Sequence, residues 1–284
     1  MACSWTKLPL GRSGLVVTPL GLGSSYGLGA ADVERACERG VNYLYWGSIR
    51  TEAFGRGVRT VAQRRRDELV VVVQSYTRFA SLLPRAVDSA LAKLDVGYVD
   101  VLLLGWWNRL PSRRILDAAL ALREAGKVRQ LMVSCHHRPS FAALAAEPAL
   151  SAVMVRYNAA HPGAESEVFP RLGAAPPGVV AYTATRWGTL CDPRLMPAGE
   201  PVPRGSDCYR FALSHPSVNL CLAGPKNAAE LDDALTALDR GPMSEDELAW
   251  MRRVGRAVHD APVRRALPSL ANLAERAGRL LGRG

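Results

Sequence analysis

The sequence predicts an α/β fold, a single (β/α)8 TIM barrel, on three observations. Short Val- and Leu-rich runs recur eight times, at intervals of roughly 25–35 residues. Amphipathic segments of helical period stand between them. No G-x-G-x-x-G follows the first run, which removes the main support for a doubly wound sheet. A chain of 284 residues suits one such barrel, since the fold commonly takes roughly 250 residues.

Taken in order, residues 7–20 read as an N-terminal β-hairpin with "GRSG" as its turn, placed as a lid on the barrel floor. The eight strand candidates are "LVVTPLGLG", "VNYLYWG", "ELVVVVQ", "VDVLLLGWW", "VRQLMVSC", "AVMVRYN", "GVVAYTA" and "VNLCLAG". Their near-continuous apolar character fits strands covered on both faces. Helices are expected at "ADVERACERG", "LPRAVDSALAKLDV", "RILDAALALREAGK" and "NAAELDDALTALDRG", with "RRR" at 64–66 closing another. Residues 262–284 form a basic amphipathic tail. Leu267, Leu270, Leu273 and Leu280 fall near one helical face, so an extra C-terminal helix docked on the barrel is preferred to a partner- or membrane-binding one.

Composition excludes several classes. No apolar run approaches the ~20 residues that span a bilayer, and "MACSWTKLPLGRSG" has no apolar signal core, so a cytoplasmic location is expected. The six cysteines show no C-x-x-C spacing, which fits reduced thiols better than a zinc knuckle or a disulfide framework. Net charge is +10, yet the basic residues are scattered and no aromatic-interleaved basic stripe occurs, so nucleic acid is not expected as a partner. The expected partner is a small molecule, and oligomeric state is not legible.

Five motifs in order, "KLPLGRSGLVVTPLGLGS", "RGVNYLYWGS", "ALAKLDVGYVDVLLLGWW", "VRYNAAHPGAE" and "LAGPKNAAELDDAL", resemble the aldo-keto reductase superfamily from about Lys7 to His259. The resemblance implies a barrel that binds NAD(P)H at the C-terminal ends of its strands and reduces carbonyls with an Asp/Tyr/Lys/His tetrad. At the positions so implied, this chain has Tyr45 for the aspartate, Arg50 for the tyrosine, Gln74 for the lysine and Gly105 for the histidine. The turn before Phe54 is also about three residues short, so the tyrosine's place is lost by deletion or by replacement. Losing a general acid typically costs about 10²–10⁴ in rate, and tetrad members act together, so ordinary carbonyl reduction is not expected. Acid and base are replaced together, leaving no stranded buried charge, as in a rebuilt site.

The resemblance also implies cofactor contacts. Ser134 matches the nicotinamide-amide serine, Tyr182 the aromatic under the ring, and Gly224, Lys226 and Asn227 a helix-N-terminal anion site. Its other contacts are replaced: Met154 stands for a glutamine, Glu230 for an arginine, and Asp233-Ala234 for Glu-Asn. No cofactor is expected to be required, and NAD(P) binding is expected to be weak.

Strand ends line the active site in this fold. The candidate ligand contacts there are Tyr45, Trp46, Gln74, Trp106, Trp107, Asn158, Arg186 and Trp187, and the candidate catalytic groups are His136, Tyr76 and Arg156. Gly105 is expected to leave room for a ligand or for Trp46 to fold inward. His136 or His137 is the best acid/base near neutral pH. Arg156 and Arg186 suit a carboxylate or phosphate. Packing explains the tryptophans equally well. Adjacent Cys135, His136 and His137 point opposite ways along a strand, so no metal is expected. The leading functional expectation is a repurposed enzyme acting on a small polar or anionic metabolite by non-hydride acid/base chemistry. A ligand- or nucleotide-binding sensor and an NAD(P)H-dependent oxidoreductase with an unusual proton donor remain open.

Overall fold

The computed structural model describes residues 6–261. A short antiparallel hairpin, β1 (Leu8–Pro9) and β2 (Val16–Val17), precedes a closed barrel of eight parallel strands. The barrel strands are β3 (Leu20–Gly23), β4 (Tyr43–Trp46), β5 (Val70–Ser75), β6 (Val99–Leu104), β7 (Val128–Cys135), β8 (Leu150–Arg156), β9 (Gly178–Tyr182) and β10 (Leu220–Ala223). Neighbours in the barrel follow chain order, and β10 closes it against β3. The helices that follow them are α1 (Ala30–Glu38), α2 (Glu52–Arg65), α3 (Leu83–Leu94), α4 (Arg113–Glu124), α5 (Phe141–Ala146), α6 (Ala164–Glu167), α7 (Gly205–Leu213) and α8 (Ala228–Arg240). An additional helix, α9 (Glu245–Asp260), ends the described chain. The predicted tail, 262–284, lies outside the described residues.

All eight predicted runs overlap a barrel strand. The first splits in two: Pro19, which has no N–H to donate, separates hairpin strand β2 from barrel strand β3. The two-residue period then sorts every strand. Tyr43, Tyr45, Val70, Val72, Val101, Leu103, Met132, Met154 and Val180 fill the barrel interior. Their neighbours Leu44, Trp46, Val71, Val73, Leu102, Leu104 and Val133 pack outward, in the layer shared with the helices. Gly21 leaves the room that Tyr43 needs, because a Cβ there would lie 2.6 Å from the ring.

The hairpin is a plug as well as a lid. Leu10 and Val17 are fully buried inside the barrel cluster, and a Cβ on Gly178 would come within 2.7 Å of the Leu10 side chain. The turn is locked from outside. Arg12 donates to the carbonyls of Ala145 (2.9 Å), Glu147 (2.9 Å) and Leu150 (2.7 Å), and Gln130 donates to the Ser13 carbonyl at 2.8 Å. With the N-terminal end sealed, the strands' C-terminal ends form the open pole. Leu10→Ala should lower stability by about 2–5 kcal/mol, read as a shift in urea midpoint at constant slope. An unchanged midpoint would show that the plug carries no packing energy.

Candidate functional site

A cavity of about 630 Å³ opens at that pole. Strand parity decides what faces it. The inward register of β4 ends at Tyr45, of β5 at Gln74, of β6 beyond its end at Gly105, of β7 at Ser134 and then His136, and of β9 at Tyr182. Except for Gly105, these residues line the cavity.

The floor is a neutral hydrogen-bonded cluster. The Tyr45 hydroxyl donates to Gln74 Oε1 and lies 3.0 Å from Ser48 Oγ. Ser48 N–H donates to the same Gln74 oxygen at 3.1 Å, and Ser48 Oγ is 3.1 Å from the Tyr76 hydroxyl. Burial holds the Tyr45 hydroxyl well above its ordinary pKa, so it is a neutral donor. The space beside Gly105 is not vacant, contrary to the sequence expectation. A Cβ there would lie 2.2 Å from Gln74 Nε2 and 2.8 Å from the Tyr76 ring. Nor does Trp46 fold inward. It sits one residue off the inward register, buried against the helices, with its Nε1 donating to the Thr51 carbonyl at 3.0 Å. Arg50 donates to the Gln74 carbonyl and lies 5.2 Å from the centre of the Trp46 ring, outside the cavity lining.

Above the floor runs an aromatic arc. Tyr76 and Trp106 have ring centres 6.4 Å apart, Trp106 and His136 5.4 Å, and His136 and Tyr182 5.9 Å. The Tyr182 hydroxyl is 3.1 Å from His136 Nδ1. Trp106 adopts a left-handed backbone (φ +61°), with its N–H bonded to Ser134 Oγ at 2.8 Å and its carbonyl to Arg78 at 2.6 Å. That turn sends Trp106 into the cavity and the adjacent Trp107 out of it, buried under the Arg78 guanidinium at 4.2 Å. Of the described non-glycine residues with positive φ, Ser48, Trp106, Thr183, Arg186 and Trp187 all sit in loops at this pole. Such backbone strain clusters where a site is being shaped.

Parity also separates the two histidines. His136 faces the arc, with its N–H bonded to Asn108 Oδ1 at 3.1 Å, whereas His137 Nδ1 is 2.9 Å from Ser140 Oγ. Burial pushes the Cys135 thiol up to about 11, which leaves it no thiolate at neutral pH.

Arg156, Asn158 and Arg186 are not brought to the cavity. Asn158 is 0% exposed and ties a turn, accepting from the N–H groups of Ala160 (3.0 Å) and His161 (2.9 Å) while donating to the Thr183 carbonyl at 2.8 Å. Arg186 donates to the Val258 carbonyl. Burial, then the charges of Arg156 and Arg186, push His161 down to about 4. Trp187 does line the cavity, at 40% exposure.

A second arm of the cavity passes Tyr26, Cys191, Gly205, Tyr209, Gly224, Lys226, Glu230 and Asp233. Tyr26, Cys191, Gly205 and Tyr209 carried no sequence signal, because they come from loops and helix segments whose periodic pattern does not mark them. This arm holds Gly224 and Lys226 of the three residues expected to receive a dinucleotide phosphate, while Asn227 stands outside the lining. The helix N-termini here already carry the protein's own carboxylates. Glu230 accepts from the Lys226 N–H at 2.9 Å, while Asn227 Oδ1 caps α8 through the Glu230 N–H at 2.9 Å. Asp233 accepts from Ser206 N–H at 3.0 Å and Ser206 Oγ at 2.9 Å, at the start of α7. The Tyr26 ring lies against Gly224, 2.3 Å from where a Cβ would stand. Ser134 Oγ is engaged by the Trp106 backbone. A dinucleotide phosphate would have to displace Glu230 and lie beside Asp233, so the residues present do not fit that group.

Among the described residues, no group of three or more His, Cys, Asp or Glu is placed to hold a metal ion, and no helix is long and apolar enough to cross a membrane.

Gly105→Ala should disrupt the Gln74–Tyr45–Ser48 cluster and cost about 1–3 kcal/mol in thermal unfolding; an unperturbed melt would mean the floor is loosely packed. His161 binds its proton near pH 4 in the native chain against an ordinary 6.5. The unfolded chain therefore takes up that proton first, and the associated stability is lost as pH falls from about 6.5 to 4. The melting temperature of His161→Asn should fall less over that window than that of the parent, and parallel curves would contradict the assignment.

No protein-family model matches the chain. The structure is similar to an aldo-keto reductase of Bacillus halodurans in its holo form, with TM-score 0.76 and 18% identity over 89% of this chain and 97% of that one. The apo form of that protein gives a TM-score of 0.73 at 18% identity over the same shares. An aldo/keto reductase of Klebsiella pneumoniae, solved with NADP and acetate, gives 0.75 at 21% identity over 88% and 96%. At these identities the likeness establishes architecture: the chain has the (β/α)8 barrel fold of the aldo-keto reductases.

Proposed function

We propose that this chain is a barrel enzyme without the reductase tetrad that takes a neutral, planar organic ligand between Tyr76, Trp106 and Tyr182. It then relocates a proton on that ligand through the His136–Tyr182 pair, without a nicotinamide. The observation that carries this reading is the 3.1 Å contact between the Tyr182 hydroxyl and His136 at the edge of the aromatic arc. Imidazole exchanges protons near neutral pH, and a hydroxyl bonded to it relays that exchange to a ligand atom. Tyr76, 44% exposed and close to Ser48, is placed to hold a ligand oxygen. A carbonyl gripped there acidifies its neighbouring C–H, which the pair can deprotonate and reprotonate.

The floor favours an uncharged ligand, since Tyr45, Gln74 and Ser48 offer dipoles and no formal charge. The anionic substrate expected from the sequence relied on Arg156 and Arg186, which stand outside the cavity lining. Carboxylates at both helix starts weigh against the oxidoreductase reading. Binding without turnover is the second reading, supported by how fully the floor polar groups are satisfied by one another.

A thermal-shift screen of neutral aromatic and enone carbonyls should find ligands, and NMR in D2O should then show enzyme-dependent exchange of the C–H next to the carbonyl. His136→Gln and Tyr182→Phe should slow exchange by about 10²–10⁴ with affinity changed only several-fold. Binding without exchange would establish the sensor reading. NADPH should bind no tighter than micromolar by calorimetry, and Glu230→Ala with Asp233→Asn should tighten it by freeing the helix N-termini. Nanomolar affinity in the parent chain would defeat the claim that the arm excludes a dinucleotide.

A further inference from the structure

The second arm contains a pair of thiols that the proposed chemistry does not use. Cys191 closes a short 3-10 turn, Thr189–Cys191, in the loop after β9, is half-buried and lines the cavity. Cys208 is on α7, 1% exposed. Their sulfurs are 3.9 Å apart, within S–H···S hydrogen-bond distance and with no disulfide between them. The cavity brings solvent to Cys191 and to few other thiols: Cys37, Cys135 and Cys221 are buried and absent from its lining.

We infer that Cys191 and Cys208 are an oxidisable dithiol site, which a hydroperoxide converts to a disulfide that fastens the loop after β9 to α7 along one wall of the cavity. The Cys191 sulfur attacks one peroxide oxygen, the O–O bond breaks, and one water leaves a sulfenic acid on Cys191. The Cys208 sulfur then attacks the Cys191 sulfur, the S–O bond breaks, and a second water leaves with the Cys208 proton. Two thiols and one hydrogen peroxide thus give one disulfide and two waters. The order of attack follows from the geometry. Cys191 is the sulfur that lines the cavity, and a hydrogen bond from Cys208 lowers its pKa, against its partial burial and the charges of Asp233, Asp207 and Glu230. The same contact and full burial keep the proton on Cys208. The loop so fastened carries Thr185, Trp187 and Gly188, which line the cavity. Three of its residues, Thr183, Arg186 and Trp187, hold positive φ, so it is a strained segment whose geometry a cross-link would fix. This inference stands whether the cavity holds a substrate, a sensed ligand or a nucleotide.

The test uses the full chain, treated with hydrogen peroxide at neutral pH, blocked with iodoacetamide, digested without reductant and mapped by mass spectrometry. A Cys191–Cys208 cross-linked peptide should form, vanish on reduction, and be absent from Cys191→Ser. In Cys208→Ala, Cys191 should instead accumulate as a sulfenic acid trapped by dimedone. Thermal melting confirms that each variant folds, and Cys191→Ser keeps the test decisive if the buried change does not. Limited trypsin cleavage after Arg194, which is 85% exposed on this loop, should slow several-fold on oxidation and recover with dithiothreitol. The inference is overturned if both thiols are alkylated in full after an exposure that oxidises free glutathione. It is equally overturned if Cys191 links to another cysteine, or if cleavage after Arg194 is unchanged in cross-linked protein.

Discussion

The two-residue period of eight strands closed into a ring fixes where every strand side chain must go. Closure removes the sheet's edges, so a strand cannot slip by one residue without turning its interior set toward the helices and its outer set into the barrel. Tyr43 and Tyr45 are therefore interior because Leu44 and Trp46 are exterior, and Gln74 reaches the floor because Val70 and Val72 fill the layers beneath it. The hairpin depends on the same constraint. Leu10 and Val17 can plug the N-terminal pole only because the interior set ends there in small and β-branched residues such as Gly178 and Val70.

Above those layers the interior set changes character from apolar to polar without becoming charged. A lone ionised group in that position would bear a desolvation cost of several kcal/mol unless a partner stood with it. Tyr45, Gln74 and Ser48 avoid the cost by bonding among themselves, and Gly105 admits Gln74 by having no side chain. These positions are mutually dependent: restoring a side chain at Gly105 evicts Gln74, and losing Gln74 leaves the buried Tyr45 hydroxyl without its main acceptor. With no ionisable acid or base among Tyr45, Ser48, Gln74 and Gly105 at neutral pH, such a floor remains neutral.

Legibility in the sequence divides along the same line. The barrel and its eight strands were readable because the apolar runs report directly on burial at both faces, and His136, Gln74, Tyr76, Trp106, Ser134 and Tyr182 were readable because strand ends face the pole. Trp46 and Trp107 were placed in the site by proximity to strand ends, and the structure puts them elsewhere. The parity that excludes Trp46 was available in "YLYW", whereas the left-handed turn at Trp106 that ejects Trp107 had no sequence mark. Asn158 went to turn-building and Arg186 to a carbonyl on α9, contacts between segments distant in sequence, and Arg156 also stands outside the cavity lining. Cys191 and Tyr209 were missed as cavity residues for the same reason: tertiary packing alone brings them to the wall.

That wall is anchored differently on its two sides. Arg210, 3% exposed, ties α7 to the turn between α8 and α9 and to α9 itself. It donates to the carbonyls of Gly241 at 2.8 Å and Pro242 at 3.0 Å, and to Glu247 Oε2 at 2.8 Å. The Arg210 guanidinium holds the Glu247 carboxyl at about 2, well below the usual carboxylate range, so the anchor stays charged through ordinary pH. The facing loop is held by more exposed contacts: Glu200 pairs with Arg253 on α9, and Arg204 pairs with Asp233 on α8 at 2.8 Å. It leans on the Arg186 bond to the Val258 carbonyl, the buried Leu190 and a local Asp192–Arg194 ion pair that is open to solvent on the arginine side. A ligand entering between these walls meets a helix anchored by a buried arginine on one side and a loop held mostly by exposed ion pairs on the other. Exposed ion pairs are the weaker kind of tie, so a contact between the two walls adds most on the loop side, and the Cys191–Cys208 pair spans that gap.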